Sequence, residues 1–194
     1  MTSVLADLLP ALAATWASPF TSRGLPAPVA AELVAQGDGT VPAVPTAPGQ
    51  HRPLALDAAG GCAYVRRSGE VTLARPDSST CDRRRLRVTL PVRLVVVADL
   101  EGWNCRTQEV ALALADHLLG ALETGGLPVN ALGLAGAKLT PERLLTDPVA
   151  IFTDELGYAV PLPARRGLVA VEAELEVVLD PACLPTCPPS DLPH

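Results

Sequence analysis

With 194 residues the chain can bury roughly 70% of its unfolded surface, so neither a metal nor a disulfide is required to hold its core together. Apolar residues at 48% and charged residues at 19% exclude a disordered chain. Aromatics at 3% exclude a stacking platform for bases or sugars and leave Val, Leu and Ala to build the core. The net charge of −6 sets up a field that repels nucleic acid.

Residues 3–17 are expected to form a short helix, because Val4, Leu5, Leu8, Leu12 and Trp16 recur at three-to-four spacing. Thr2 or Ser3 can cap it, Pro10 disturbs it and Pro19 is read as its stop. A second helical turn is expected over residues 28–36, with Pro28 in its first turn and Gly37 after its end. Residues 37–60 carry Pro42, Pro45, Pro48 and Pro53 among Gly and Ala. They read as an extended, polyproline-like arm that pairs in no sheet.

The core is expected over residues 61–181. Residues 62–74 read as two strands interrupted at Ser68 and Gly69, followed by turn chemistry over residues 75–82. The strongest strand covers residues 86–98. Val88, Leu90, Val92, Leu94 and Val96 lie on one face, and its second half is apolar on both faces, so that end is expected to be covered twice. Pro91 removes a ladder donor, which favours an edge position or a bulge. A helix over residues 108–123 follows, capped by Asn104 or Thr107 and ended by Gly125 and Gly126; its stripe is Val110, Leu114, Leu118 and Leu122, widened by Ala111, Ala115 and Leu119. A weak strand is expected within residues 127–138, a helical turn opening at Thr140-Pro141-Glu142, a break at Asp147-Pro148 and a short strand at residues 149–152. The last strand, residues 168–179, alternates most cleanly: Val169, Val171, Ala173, Leu175, Val177 and Leu179 against Glu172, Glu174 and Glu176. Residues 182–194 read as an irregular tail. The expected fold is therefore α+β: an antiparallel or mixed sheet with one long amphipathic helix packed on one face, plus an N-terminal helical segment (residues 1–36) and the Pro-rich arm.

No apolar run is long enough to span a membrane, and the N-terminal segment lacks the basic start of a secretory leader. The five cysteines, Cys62, Cys81, Cys105, Cys183 and Cys187, do not form the even set of a disulfide framework. Cys183 and Cys187 are ordinary tail cysteines, a local disulfide, or half a zinc site completed by Cys62 or Cys81. That last reading makes the chain a small metal- or ligand-binding accessory domain, the alternative to the function expected below. Cys105 precedes a helix start, but His117 is too far along that helix to serve it as a base. His51 falls in the arm and His194 at the terminus. No nucleophile elbow and no phosphate loop is found, so no catalytic, cofactor-binding or metal-ligating residues are assigned.

Two charged groups remain. Glu172, Glu174 and Glu176 project from one strand face about 7 Å apart, as a solvated face, an interface or a cation site. Arg83, Arg84, Arg85 and Arg87 enter the strongest strand and, with Arg66, Arg67 and Arg93, bias that part of the sheet basic. They protect the strand entry, pair with the acidic stripe, or meet nucleic acid. Basic and acidic stripes on opposite edges suit a head-to-tail contact between identical subunits, and the seven residues Glu172, Glu174, Glu176, Arg83, Arg84, Arg85 and Arg87 are the expected interface.

In layout the chain resembles the tail terminator, or tail completion, proteins of tailed bacteriophages. A short helix (residues 4–16) is followed by a long strand, RLRVTLPVRLVVVAD (residues 85–99). Then come an Ala- and Leu-rich helix, TQEVALALADHLLGAL (residues 107–122), and a long alternating strand, LVAVEAELEVVL (residues 168–179). The likeness runs over about 120 residues, 62–179. It implies a non-catalytic structural protein of the virion neck or tail, assembled in the host cytoplasm as a hexameric ring without cofactors. Its partners would be other copies and the neighbouring tail tube and neck proteins. It implies no membrane partner, and nucleic acid only as DNA passing through the ring lumen.

Overall fold

The computed structural model describes residues 4–56, 60–74, 86–99, 110–127, 132, 134–157 and 166–179. In chain order the elements are α1 (Val4–Thr21), β1 (Pro28–Ala30), β2 (Glu32–Gln36), β3 (Gly39–Ala47), β4 (Gln50–Pro53), β5 (Cys62–Arg67) and β6 (Thr72–Ala74). They continue with β7 (Leu86–Asp99), α2 (Val110–Gly125), β8 (Leu134–Leu145), α3 (Pro148–Leu156) and β9 (Arg166–Leu179).

β7 and β9 are the two segments with the strongest alternation, and they pair antiparallel along all of their length, from Leu86 opposite Leu179 to Asp99 opposite Arg166. They form the centre of a mixed sheet in the order β1-β5-β7-β9-β8, with β6 pairing β7 beyond the end of β5. Among the described strands only β1 and β5 pair in parallel. The residues on one face of this sheet, Val88 to Ala98 at period two and Val169 to Leu179 at period two, form one core with Leu8, Leu12, Trp16 and Phe20 of α1 and Leu114, Leu118 and Ala121 of α2. Two helices thus share the face where one was expected. On the opposite face Tyr64, Val95, Val97, Leu168 and Ala170 pack with Ile151, Phe152 and Leu156 of α3. The doubly apolar half of β7 is accordingly covered on both sides.

Several segments depart from the sequence reading. α1 runs past Pro19 to Thr21 because Phe20, wholly buried, stacks on Trp16 with ring centres 6.2 Å apart. Residues 28–36 are strands and not a helical turn, since β1 docks on β5 and β2 on β3. Residues 39–53 of the expected arm are paired: β3 and β4 form an antiparallel meander with β2. Gly37 and Gly49, both at positive φ, make its two tight turns, the second as Pro48-Gly49, which suits a type II turn. Pro42 is tolerated inside β3 because its backbone faces the end of β4, where Leu54 donates to its carbonyl at 2.8 Å. Of the weak strand expected within residues 127–138, residues 134–138 are strand and residues 128–131 and 133 lie outside the described residues; the helical turn at Thr140-Pro141-Glu142 is instead part of the edge strand β8. Residues 149–152 lie in α3, not in a strand. Asp147 caps that helix by accepting from the Val149 amide at 3.0 Å, Pro148 follows at the first turn, and Gly157 closes it at φ 79°. The capping residues proposed for α2, Asn104 and Thr107, lie outside the described residues.

Pro91 sits in a central strand and not at an edge. Its backbone faces the gap where β5 has ended and β6 has not begun, and its carbonyl accepts from Ser68 at 2.9 Å. The missing N–H therefore falls where the ladder is already interrupted. Among the described residues no helix is long and apolar enough to cross a membrane.

Candidate functional site

The polar chemistry of the chain gathers on the α3 side of the sheet. Arg66 of β5 stands opposite Arg93 of β7, Arg93 opposite Glu172 of β9, and Glu172 opposite Arg143 of β8, so one row of charge crosses four strands. Two guanidiniums side by side repel, and the residue that reconciles them comes from α3. Glu155, 1% exposed, takes a bidentate pair from Arg66 (Nε at 2.7 Å and Nη2 at 2.6 Å) and a bond from Arg93 Nη1 at 2.9 Å. The Tyr64 hydroxyl donates to the same carboxylate at 3.0 Å. Arg93 also donates to Asp154 at 3.1 Å and to Glu172. Arg143 Nε closes the row on Glu172 at 2.7 Å.

Burial pushes the Tyr64 hydroxyl well above its ordinary pKa, and the Glu155 charge adds to the shift. Burial also acts to raise Glu172, but the hydrogen bonds from Arg143 and Arg93 outweigh it and hold that carboxyl below the usual range. A polar cavity of about 500 Å³ opens over this row, lined by Arg66, Ser68, Arg93, Glu142, Asp154 and Glu172. The two arginines at its floor turn their Nη atoms, and Arg66 its Nε, to carboxylates and a backbone carbonyl of the chain itself. The row is a lock between α3 and the sheet, in which Arg93 Nε is the one buried donor of these two arginines that finds no partner among the described residues.

Of the seven expected interface residues, four are placed. Glu172 belongs to the lock. Glu176 lies 3.6 Å from Arg87, which matches the pairing of basic entry and acidic stripe. Glu174, between them on β9, is exposed. Arg83, Arg84 and Arg85 lie outside the described residues, as do Cys81, Cys105, Cys183, Cys187 and His194. Cys62 is half-buried at the start of β5. Burial pushes its thiol up to about 11 against the opposing charge of Arg166, which makes it a poor nucleophile. No group of three or more His, Cys, Asp or Glu side chains suited to a metal occurs among the described residues. His117 donates from Nδ1 to the Arg23 carbonyl at 3.1 Å and so ties α2 to the end of α1. His51 reaches Glu32 across the meander at 3.3 Å.

Glu155 and Tyr64 are members of the lock that the sequence does not announce. Glu155 lies between the strands expected at residues 149–152 and 168–179, and only the recognition of Asp147-Pro148 as a helix start puts it on a helix facing the sheet.

The other candidate surfaces are the edges. β8 has no partner on its outer side among the described residues. Beside it, on the helix face, an apolar groove of about 380 Å³ runs between α2 and the strand, lined by Trp16, Leu119, Leu122, Leu127, Leu139 and Pro141. Leu119, expected inside the α2 stripe, is 38% exposed in this groove. On the opposite edge of the sheet Leu73 of β6 is 61% exposed.

A scan of models of protein families finds none that matches this chain, and a search of curated protein sequences likewise finds no match.

Proposed function

We propose that the chain is a structural subunit that works by assembling with copies of itself into a ring, in the manner of the tail terminator proteins that it resembles in layout. In that reading it belongs to the neck or tail of a virion, is assembled in the host cytoplasm, and meets tail tube and neck proteins on the two sides of the ring. Catalysis has no part in it.

The observation that carries the proposal is the distribution of unsatisfied surface. The charged side chains with the tightest geometry are turned on one another in the lock around Glu155. Among the described residues, both margins of the sheet carry surface that a neighbour could cover: the outer backbone side of β8, the half-exposed Leu119 beside it and the exposed Leu73 of β6. A rigid sheet with sticky margins is suited to a heterologous contact, which closes into a ring when its rotation permits.

Electron microscopy of the purified chain tests this. Annular particles of uniform diameter are expected, and fields of particles no larger than one 20.1 kDa chain would sink the proposal.

A further inference from the structure

We infer that the ring contact is a strand-to-strand junction in which β6 of one copy adds to the β8 edge of the next and Leu73 of the first seats in the apolar groove of the second. This rests on the self-assembly proposed above and names the surfaces that perform it. Strand direction, backbone polarity, side-chain face and register each bear on it, and they agree.

β8 runs antiparallel to β9, β9 to β7, and β7 to β6. A rotation about an axis parallel to the strands carries one margin of the sheet to the other and keeps each strand's direction and face. β6 of the next copy therefore arrives antiparallel to β8.

The free hydrogen-bonding groups follow from Pro91. Its carbonyl accepts from Ser68, so the backbone groups of Pro91, and at period two those of Thr89 and Arg87, point toward β6. Thr72 and Ala74 lie opposite Thr89 and Arg87 and use their groups there, which leaves the N–H and C=O of Leu73 pointing outward. On the other side Glu174, opposite Pro91, points toward β8 and takes up Thr140. The N–H and C=O of Ala137 and Leu139 then point outward as well.

The side chains match on one face. Leu73 pairs with Val88, whose side chain lies in the helix-face core, so Leu73 projects on that face. The groove beside β8 opens on the same face.

Thr72, Thr89, Glu176 and Lys138 stand on one row straight across the sheet. A junction that continues this row brings Thr72 of the next copy level with Lys138. That sets Leu73 opposite Ala137, two residues whose outward backbone groups face each other, and diagonal to Leu139, which lines the groove. It also puts the exposed Glu70 diagonal to the exposed Lys138, an opposite-charge pair across the junction.

Leu73→Asp spoils the strand side of the junction and Leu119→Asp the groove side; both residues are exposed in the single chain, so the fold is kept. Leu112→Asp, at an exposed α2 position outside the groove, is the control. Sedimentation velocity is expected to give a large assembly for the wild type and for Leu112→Asp, and monomers for the other two. An equal mixture of Leu73→Asp and Leu119→Asp has one good strand and one good groove, and is expected to double in mass to a dimer and stop there. Variants that assemble like the wild type overturn this junction and leave self-assembly standing. Two monomeric variants that stay monomeric when mixed overturn the head-to-tail pairing. A wild type that is monomeric at every concentration removes both.

Discussion

Replacing Glu155 by Gln keeps its shape and removes the one carboxylate shared by Arg66, Arg93 and Tyr64. The loss falls unevenly. Arg93 retains Asp154 and Glu172, whereas Arg66 retains only the carbonyl of Arg67. Removing one partner of a buried ion pair costs about 3–5 kcal/mol, because the charge left behind stays buried without compensation. That is a large part of a typical net stability of about 5–15 kcal/mol. With a urea slope near 2 kcal/mol/M the unfolding midpoint of Glu155→Gln is expected to fall by about 2 M. The paired change Glu155→Leu with Arg66→Met, which takes both charges out together, is expected to recover at least half of the drop. A Glu155→Gln midpoint within about 0.5 M of wild type would refute the reasoning, since it would mean that α3 is not fastened to the sheet through this carboxylate.

Gly61 has φ +83°, and a Cβ there would lie 2.0 Å from the Val97 carbonyl oxygen. Gly61→Ala should therefore unfold at much lower denaturant than Gly37→Ala, which has φ +59° but open space, and where only the left-handed cost of about 1–2 kcal/mol applies. Asp147→Ala removes the cap of α3 and should cost about 1 kcal/mol in thermal or chemical unfolding. Cys62 holds its proton more tightly folded than unfolded, so its contribution is complete below pH 9 and is lost as the pH rises through about 11. Tyr64 acts with the same sign, beginning near pH 10. Urea midpoints should fall over that range, and more gently in Cys62→Ser; a midpoint that rises with alkali contradicts both assignments.

How far the fold was legible depends on which force decided each segment. β7 and β9 were legible because one face of each is buried along its length, and period-two burial writes itself into the sequence. The cover on both sides of Val95 and Val97 was legible for the same reason. The meander was not. Its prolines suggest an unpaired arm, and what overrides them is position: Pro42 faces the end of a neighbouring strand and Pro48-Gly49 makes a turn. Pro141 misled in the same way, since an edge strand with its nitrogen turned outward loses nothing by lacking a donor. Asp147-Pro148 was read as a break, although the same two residues cap and open α3. Of the lock, Arg66, Arg93 and Glu172 were visible as charged stripes on the strands, and Arg143 was not. That Glu155 joins them could not be read until α3 was placed over the sheet.

The most direct measurement is the native mass of the wild-type chain across a hundredfold range of concentration. An assembly of a fixed whole number of 20.1 kDa chains that persists on dilution is expected. A mass that stays at one chain throughout would contradict self-assembly, whatever the stability experiments had shown.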